Sequence, residues 1–205
     1  MRKYLFIIIS SFITFFSAQS LLANEASGLD ITENDFVIGD INAPITIIEY
    51  ASMSCSHCAD FHTNTLPDLK TEFIDTGKIR MAFRDYPFNY PALLGSMMMR
   101  CIPSDVRYDY MNALYQLQPS WVNKDPKITK KELYKIMQSG GMTKEEFDIC
   151  YGNIDNENLI LEGVMEAQKV FNVKSTPSFI INGNLIEGNK NIKEFRQIID
   201  KILSE

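Results

Sequence analysis

Ile45-Thr46-Ile47-Ile48-Glu49-Tyr50-Ala51-Ser52-Met53-Ser54-Cys55-Ser56-His57-Cys58 is the stretch on which the reading of this chain turns. It opens with an apolar, β-branched run, the composition of a strand. From His57 to Thr76 the pattern changes: Phe61, Leu66, Leu69, Phe73 and Ile74 recur near a 3.6-residue period, which predicts a helix. Two thiols with two residues between them therefore sit where a strand gives way to a helix. The first N–H groups of a helix lack intrahelical partners and carry partial positive charge. A sulfur placed there is favoured as the thiolate, its reactive form. That position suits thiol–disulfide chemistry, although a lone CxxC is also half of a zinc site.

The N-terminus bears on the choice. Arg2 and Lys3 precede an apolar stretch from Tyr4 to Phe16, followed by small and polar residues, as in a secretory signal peptide. Cleavage is expected after Ser20 or Ala23; the alternative is an uncleaved anchor, against which Ser10, Ser11, Thr14 and Ser17 interrupt the stretch. The rest of the chain is long enough for one domain with a real core. A formal net charge of −6 makes nucleic acid a poor partner, since phosphates require Lys and Arg. Export places the thiols in an oxidising compartment, the periplasm. Of the three pairings open to Cys55, Cys58, Cys101 and Cys150, the short-range pair suits cycling, which leaves Cys101 with Cys150 as a structural disulfide. Closing that loop contributes roughly 3–5 kcal/mol on the chain-entropy model; the alternative is two free buried thiols.

Along the chain, strands are expected at 36–38, 45–50, 78–83, 178–181 and 185–187, the last two joined by the hairpin turn Asn182-Gly183-Asn184. Pro67 should kink the helix it interrupts, and Gly77 should cap that helix. Helices are expected at 91–101, 104–118, 129–139, 143–151, 155–171 and 191–203, with a capping box at Thr143-Lys144-Glu145-Glu146. Both ends of the chain supply strands to one sheet. The fold class is therefore α/β with an inserted all-helical subdomain: signal peptide 1–23, a first sheet part with the CxxC over 24–90, the insertion over 91–171, and a second sheet part over 172–205.

Together with Ser175-Thr176-Pro177-Ser178-Phe179-Ile180-Ile181-Asn182-Gly183 and Glu187-Gly188, the opening stretch resembles the thioredoxin-fold proteins. Within them it looks like the DsbA-like thiol–disulfide oxidoreductases. Arg84-Asp85-Tyr86-Pro87 and the Met-rich run ending Arg100-Cys101 are similar to the branch with a second cysteine pair. The resemblance implies a thioredoxin fold with a central mixed sheet. It makes Cys55 the nucleophile, Cys58 the buried resolving partner, and Pro177 a cis-proline whose neighbouring backbone, with Thr176, binds an extended substrate segment. Ser56 and His57 lie between the sulfurs as supporting residues; a histidine before the second cysteine marks the oxidising members, and an imidazolium or ring N–H there favours the Cys55 thiolate. Glu49 takes the place of a family carboxylate that assists proton transfer at the second cysteine; otherwise it lies on an exposed strand face.

His62, with both cysteines and His57, would complete a Cys2His2 set, but all four fall within eight residues, so no metal is expected and His62 reads as a helix-surface or half-buried histidine. Met97-Met98-Met99 reads as helix core rather than a binding groove, Arg84-Asp85 as a local surface pair, and Trp121 receives no role. The expected activity is an exported dithiol oxidase that hands its disulfide to reduced cysteine-containing exported proteins. A DsbB-type membrane reoxidase would be its partner, it needs no cofactor, and it would be a monomer. Thr176, a residue type common before the cis-proline of isomerases, keeps an isomerase or reductase open. A peptide-binding chaperone or metal-handling protein with an idle CxxC is the reading from another class.

Overall fold

The computed structural model describes residues 30–204, so the expected signal peptide lies outside the described residues. Strands β1 (Phe36–Ile38), β2 (Ile45–Ala51), β3 (Ile79–Asp85), β4 (Ser178–Ile181) and β5 (Asn184–Glu187) form one mixed sheet in the order β1-β3-β2-β4-β5. Only β2 and β3 run parallel. A parallel pair requires a crossover, and here the helical segment bearing the CxxC makes it.

Side chains alternate across β2 with period two. Ile45, Ile47 and Ala51 point into the larger core, which also holds Phe61, Met81, Phe179 and Phe195. Ile48 and Tyr50 point to the opposite face, against Ala82, Tyr86, Ala167 and Ile180. Glu49 shares its parity with Ile47 and Ala51, so the pleat turns its carboxyl toward the face that the CxxC helix covers.

The crossover is a nearly continuous rod: α1 (Ser56–Asp60), a π turn over Phe61–Thr65, α2 (Leu66–Leu69) and a second π turn over Lys70–Ile74. Its irregularity answers Pro67. The Leu66 N–H reaches back to the Phe61 carbonyl, five residues earlier, and Pro67 falls in the first turn of α2, where its missing N–H leaves no gap.

Between β3 and β4 lie α3 (Tyr90–Cys101), α4 (Ser104–Gln116), α5 (Gln118–Trp121), α6 (Pro126–Ser139), α7 (Lys144–Tyr151) and α8 (Ile154–Phe171); α9 (Ile192–Leu203) ends the chain. The α5 turn was not expected, because Pro119 reads as a break. The Thr143–Glu146 capping box forms. Met97, Met98 and Met99 are all buried core. Trp121 gains a role: it is fully buried, its Nε1–H donates to the Leu114 carbonyl at 2.9 Å, and its ring abuts Gly95. A Cβ at Gly95 would lie 3.0 Å from both the Trp121 ring and Met53 Cβ. The insertion thus packs directly on the loop that carries the CxxC. No helix among the described residues is long and apolar enough to cross a membrane.

Arg84 and Asp85 are not a pair with each other, which corrects the sequence reading. Consecutive strand residues point to opposite faces, so Arg84 forks onto Asp35 at 2.7 and 2.9 Å and meets the Tyr50 hydroxyl, while Asp85 accepts from Arg100 on α3 at 3.2 Å.

Cys101 and Cys150 are joined, tying the end of α3 to α7 across 49 residues of sequence. Replacing both by alanine should lower the unfolding free energy by about 2–4 kcal/mol, the usual worth of a loop-closing bridge, as read by denaturant unfolding of the otherwise identical protein.

Candidate active site

Cys55 is the N-cap residue of α1, extended in backbone, and Cys58 sits within its first turn. The geometry gives the two sulfurs opposite surroundings. Cys55 is half-buried, and its Sγ lies 3.4 Å from the carbonyl oxygen of Thr176. The Thr176–Pro177 peptide is cis, as the resemblance implied. Thus the β4 end of the sheet forms the wall opposite the thiol. Cys58 is fully buried in the core.

Chemistry follows from solvation. The Cys55 pKa is lowered to about 5, chiefly by the hydrogen bond from the Cys58 thiol, then by Thr176 and the backbone N–H groups of Cys58 and His57, with partial burial opposing. The Cys58 pKa is raised, first by desolvation, then by its bond to Cys55 and the nearby Glu49 carboxyl. The surroundings thus favour the thiolate at Cys55 and the thiol at Cys58. Ser56 and His57 are exposed beside this pair; His57 meets Cys55 through its backbone N–H.

Glu49 is 0% exposed and His62 3% exposed, and His62 Nε2 lies 3.0 and 3.2 Å from the two Glu49 oxygens. The surface or half-buried placement expected for His62 is therefore corrected. It lies one helical turn after the buried Cys58 and shares its inward face; that spacing was the available signal. Tyr115 of α4 stacks on the imidazole, with ring centroids 4.1 Å apart.

Gln118 belongs to the site without any sequence signal. From the short α5 turn its Nε2 donates to the carbonyls of Met53 and Cys55, at 2.9 and 3.0 Å. It pins the CxxC loop to the helical insertion. Nearby, Ser54 donates to Asn89, which also caps α3. A lone glutamine between Leu117 and Pro119 carries no periodic signal, and only the tertiary contact shows what it holds.

A family model described as thioredoxin matches residues 31–201. The chain belongs to the thioredoxin family, within its DsbA-like branch of protein-disulfide oxidoreductases. It is 30% identical over 177 residues to a Rickettsia bellii protein named a protein-disulfide oxidoreductase, an alignment covering 85% of this chain and 67% of that one. The chain spans 62% to 67% of the length of the five Rickettsia relatives it matches. It is 24% identical to disulfide bond formation protein D of Bacillus subtilis, over 86% of this chain and 81% of that one. Among solved structures, alpha-DsbA1 of Wolbachia pipientis superposes with a TM-score of 0.81 at 29% identity, covering 87% of this chain and 96% of that one.

Two outcomes follow from this geometry. Ultraviolet thiolate absorbance of the reduced protein should titrate with a midpoint near pH 5, and Cys58→Ala should move that midpoint upward by removing the largest stabilising contact. Gln118→Leu leaves the buried Met53 carbonyl unpaired, while the Cys55 carbonyl keeps the Ala59 N–H, and should cost about 1–3 kcal/mol in denaturant unfolding.

Proposed function

We propose that this protein is an exported dithiol oxidase, donating the Cys55–Cys58 disulfide to folding proteins. The observation that carries the reading is the opposed solvation of the two sulfurs, which favours the reduced enzyme with Cys55 ionised and Cys58 protonated. A disulfide whose reduced form is stabilised is a strong oxidant.

In the proposed reaction a substrate thiolate attacks Cys55 Sγ. The substrate–Cys55 bond forms, the Cys55–Cys58 bond breaks, and the electron pair leaves on Cys58, which takes a proton. A second substrate thiolate then attacks the substrate sulfur of the mixed disulfide and expels Cys55 as a stable thiolate. The substrate ends oxidised by two electrons and the enzyme reduced by two. The backbone beside cis-Pro177, with the Thr176 carbonyl facing Cys55, is the proposed seat of an extended substrate segment. Glu49 supports the reading as a buried carboxyl near the sulfur that must change protonation. His57 and Ser56 are proposed as the exposed rim that a substrate meets.

Reduced cysteine-containing exported proteins are the proposed substrates, and a DsbB-type membrane reoxidase the proposed electron acceptor. The signal-like N-terminus and the Cys101–Cys150 disulfide support the periplasm, since such bridges persist in oxidising compartments. A monomer is proposed. An isomerase or reductase is the second reading, favoured by Thr176, whose hydroxyl is buried directly before the cis-proline that faces Cys55.

Equilibration with glutathione tests the direction of electron flow. A reduction potential near ~−120 mV is expected for an oxidase, and a value near ~−270 mV would contradict it in favour of a reductase. Cys55→Ala should abolish the exchange altogether; retained activity would point to a chaperone-like role.

A further inference from the structure

Cys58 must gain a proton when the disulfide opens and lose one when it re-forms, yet it is sealed in the core. Bound substrate would cover the Cys55 side. The structure offers another way out. His62 presents Nε2 to Glu49, and its other ring nitrogen, Nδ1, is buried without a hydrogen-bond partner among the described residues. His62 also lines a cavity of about 40 Å³ together with Tyr115, Met111, Asp85, Arg107 and Asn34. That is room for a short file of waters. Asn34 is exposed, so the cavity meets the surface on the β1 side of the sheet.

We propose that His62 relays the proton of Cys58 between Glu49 and this cavity, exchanging with Glu49 at Nε2 and with the cavity at Nδ1. The imidazole suits the task because its two nitrogens can trade a proton across the ring, one accepting as the other donates. Its surroundings hold it for this. Tyr115 stacks on one face, and Phe61 and Phe83 stand at ring-centroid distances of 5.3 and 5.6 Å. The groups that bear on the path are Glu49 from β2, Cys58 from α1, Arg84 and Asp85 from β3, Arg100 from α3, and Arg107 and Tyr115 from α4. The step balances in either direction. Reduction of the disulfide draws one proton inward from the cavity to Cys58, and reoxidation sends it back.

The inference rests on Cys55–Cys58 exchanging disulfides, not on the direction of exchange; a reductase would use the same path with the proton reversed. The test is stopped-flow exchange of the full protein with reduced and oxidised glutathione, comparing wild type with His62→Gln. Glutamine keeps a hydrogen bond to Glu49 but cannot pass a proton through its side chain. A relay predicts that forward and reverse rates fall together, on the order of 10²-fold, the low end of what a positioned acid–base group contributes. The equilibrium constant and the Cys55 titration should be unchanged. Rates within twofold of wild type in a folded variant, or a shifted equilibrium constant, would overturn the relay, while absence of exchange in the wild type would instead sink the proposed function. Should His62→Gln fail to fold, wild type in mixed light and heavy water decides. A curved dependence of rate on deuterium fraction supports several protons in flight, and a linear one overturns the relay.

Discussion

The difference in solvation between Cys55 and Cys58 governs the rest of this molecule. The two sulfurs are three positions apart, yet one meets backbone N–H groups and solvent while the other is sealed in the core that also holds Phe61 and Met53. Holding that contrast requires a fixed strand-to-helix junction. Ile47 and Ile48 anchor β2 on both faces of the sheet, so the chain leaves the sheet at a fixed height and angle. Gln118 ties the Met53 and Cys55 carbonyls to the insertion, and Trp121 packs through Gly95 behind the same loop. The helical block is thus a brace for the thiol loop.

The same contrast creates a second demand. A sulfur buried to lower its acidity must still exchange a proton, and an apolar core cannot conduct one. Glu49 and His62 are the polar concession. Each would be costly to bury alone, and their mutual hydrogen bonds at 3.0 and 3.2 Å offset that cost. Their placement follows from two periodicities. The pleat of β2 turns Glu49 to the helix side, and one turn of helix after Cys58 brings His62 inward to meet it.

Much of this was legible in the sequence. All five strands, the long helices and the inserted block were readable from periodicity and punctuation, and the CxxC and Thr176-Pro177 marked both walls of the site. What escaped depended on tertiary contact. Nothing local says that Gln118 points at two carbonyls, or that Arg84 and Asp85 part to opposite faces with separate partners. His62 reads as a surface or half-buried residue only when its helix is taken alone; the buried Cys58 one turn earlier fixes that face inward. Trp121 lies in a polar, proline-flanked stretch whose burial only packing reveals.

The most direct test is the unfolding free energy of the reduced and oxidised forms, measured side by side across pH. The Cys55 pKa is depressed on folding, so its stabilisation of the reduced form is fully present above the unfolded thiol value of about 8.5. It is lost as pH falls toward the folded value of about 5. The disulfide form carries no such titration. The reduced form should be more stable than the oxidised form at neutral pH, with the gap narrowing steadily as pH drops through this window. An oxidised form that is the more stable at neutral pH, or a gap that does not change with pH, would contradict it.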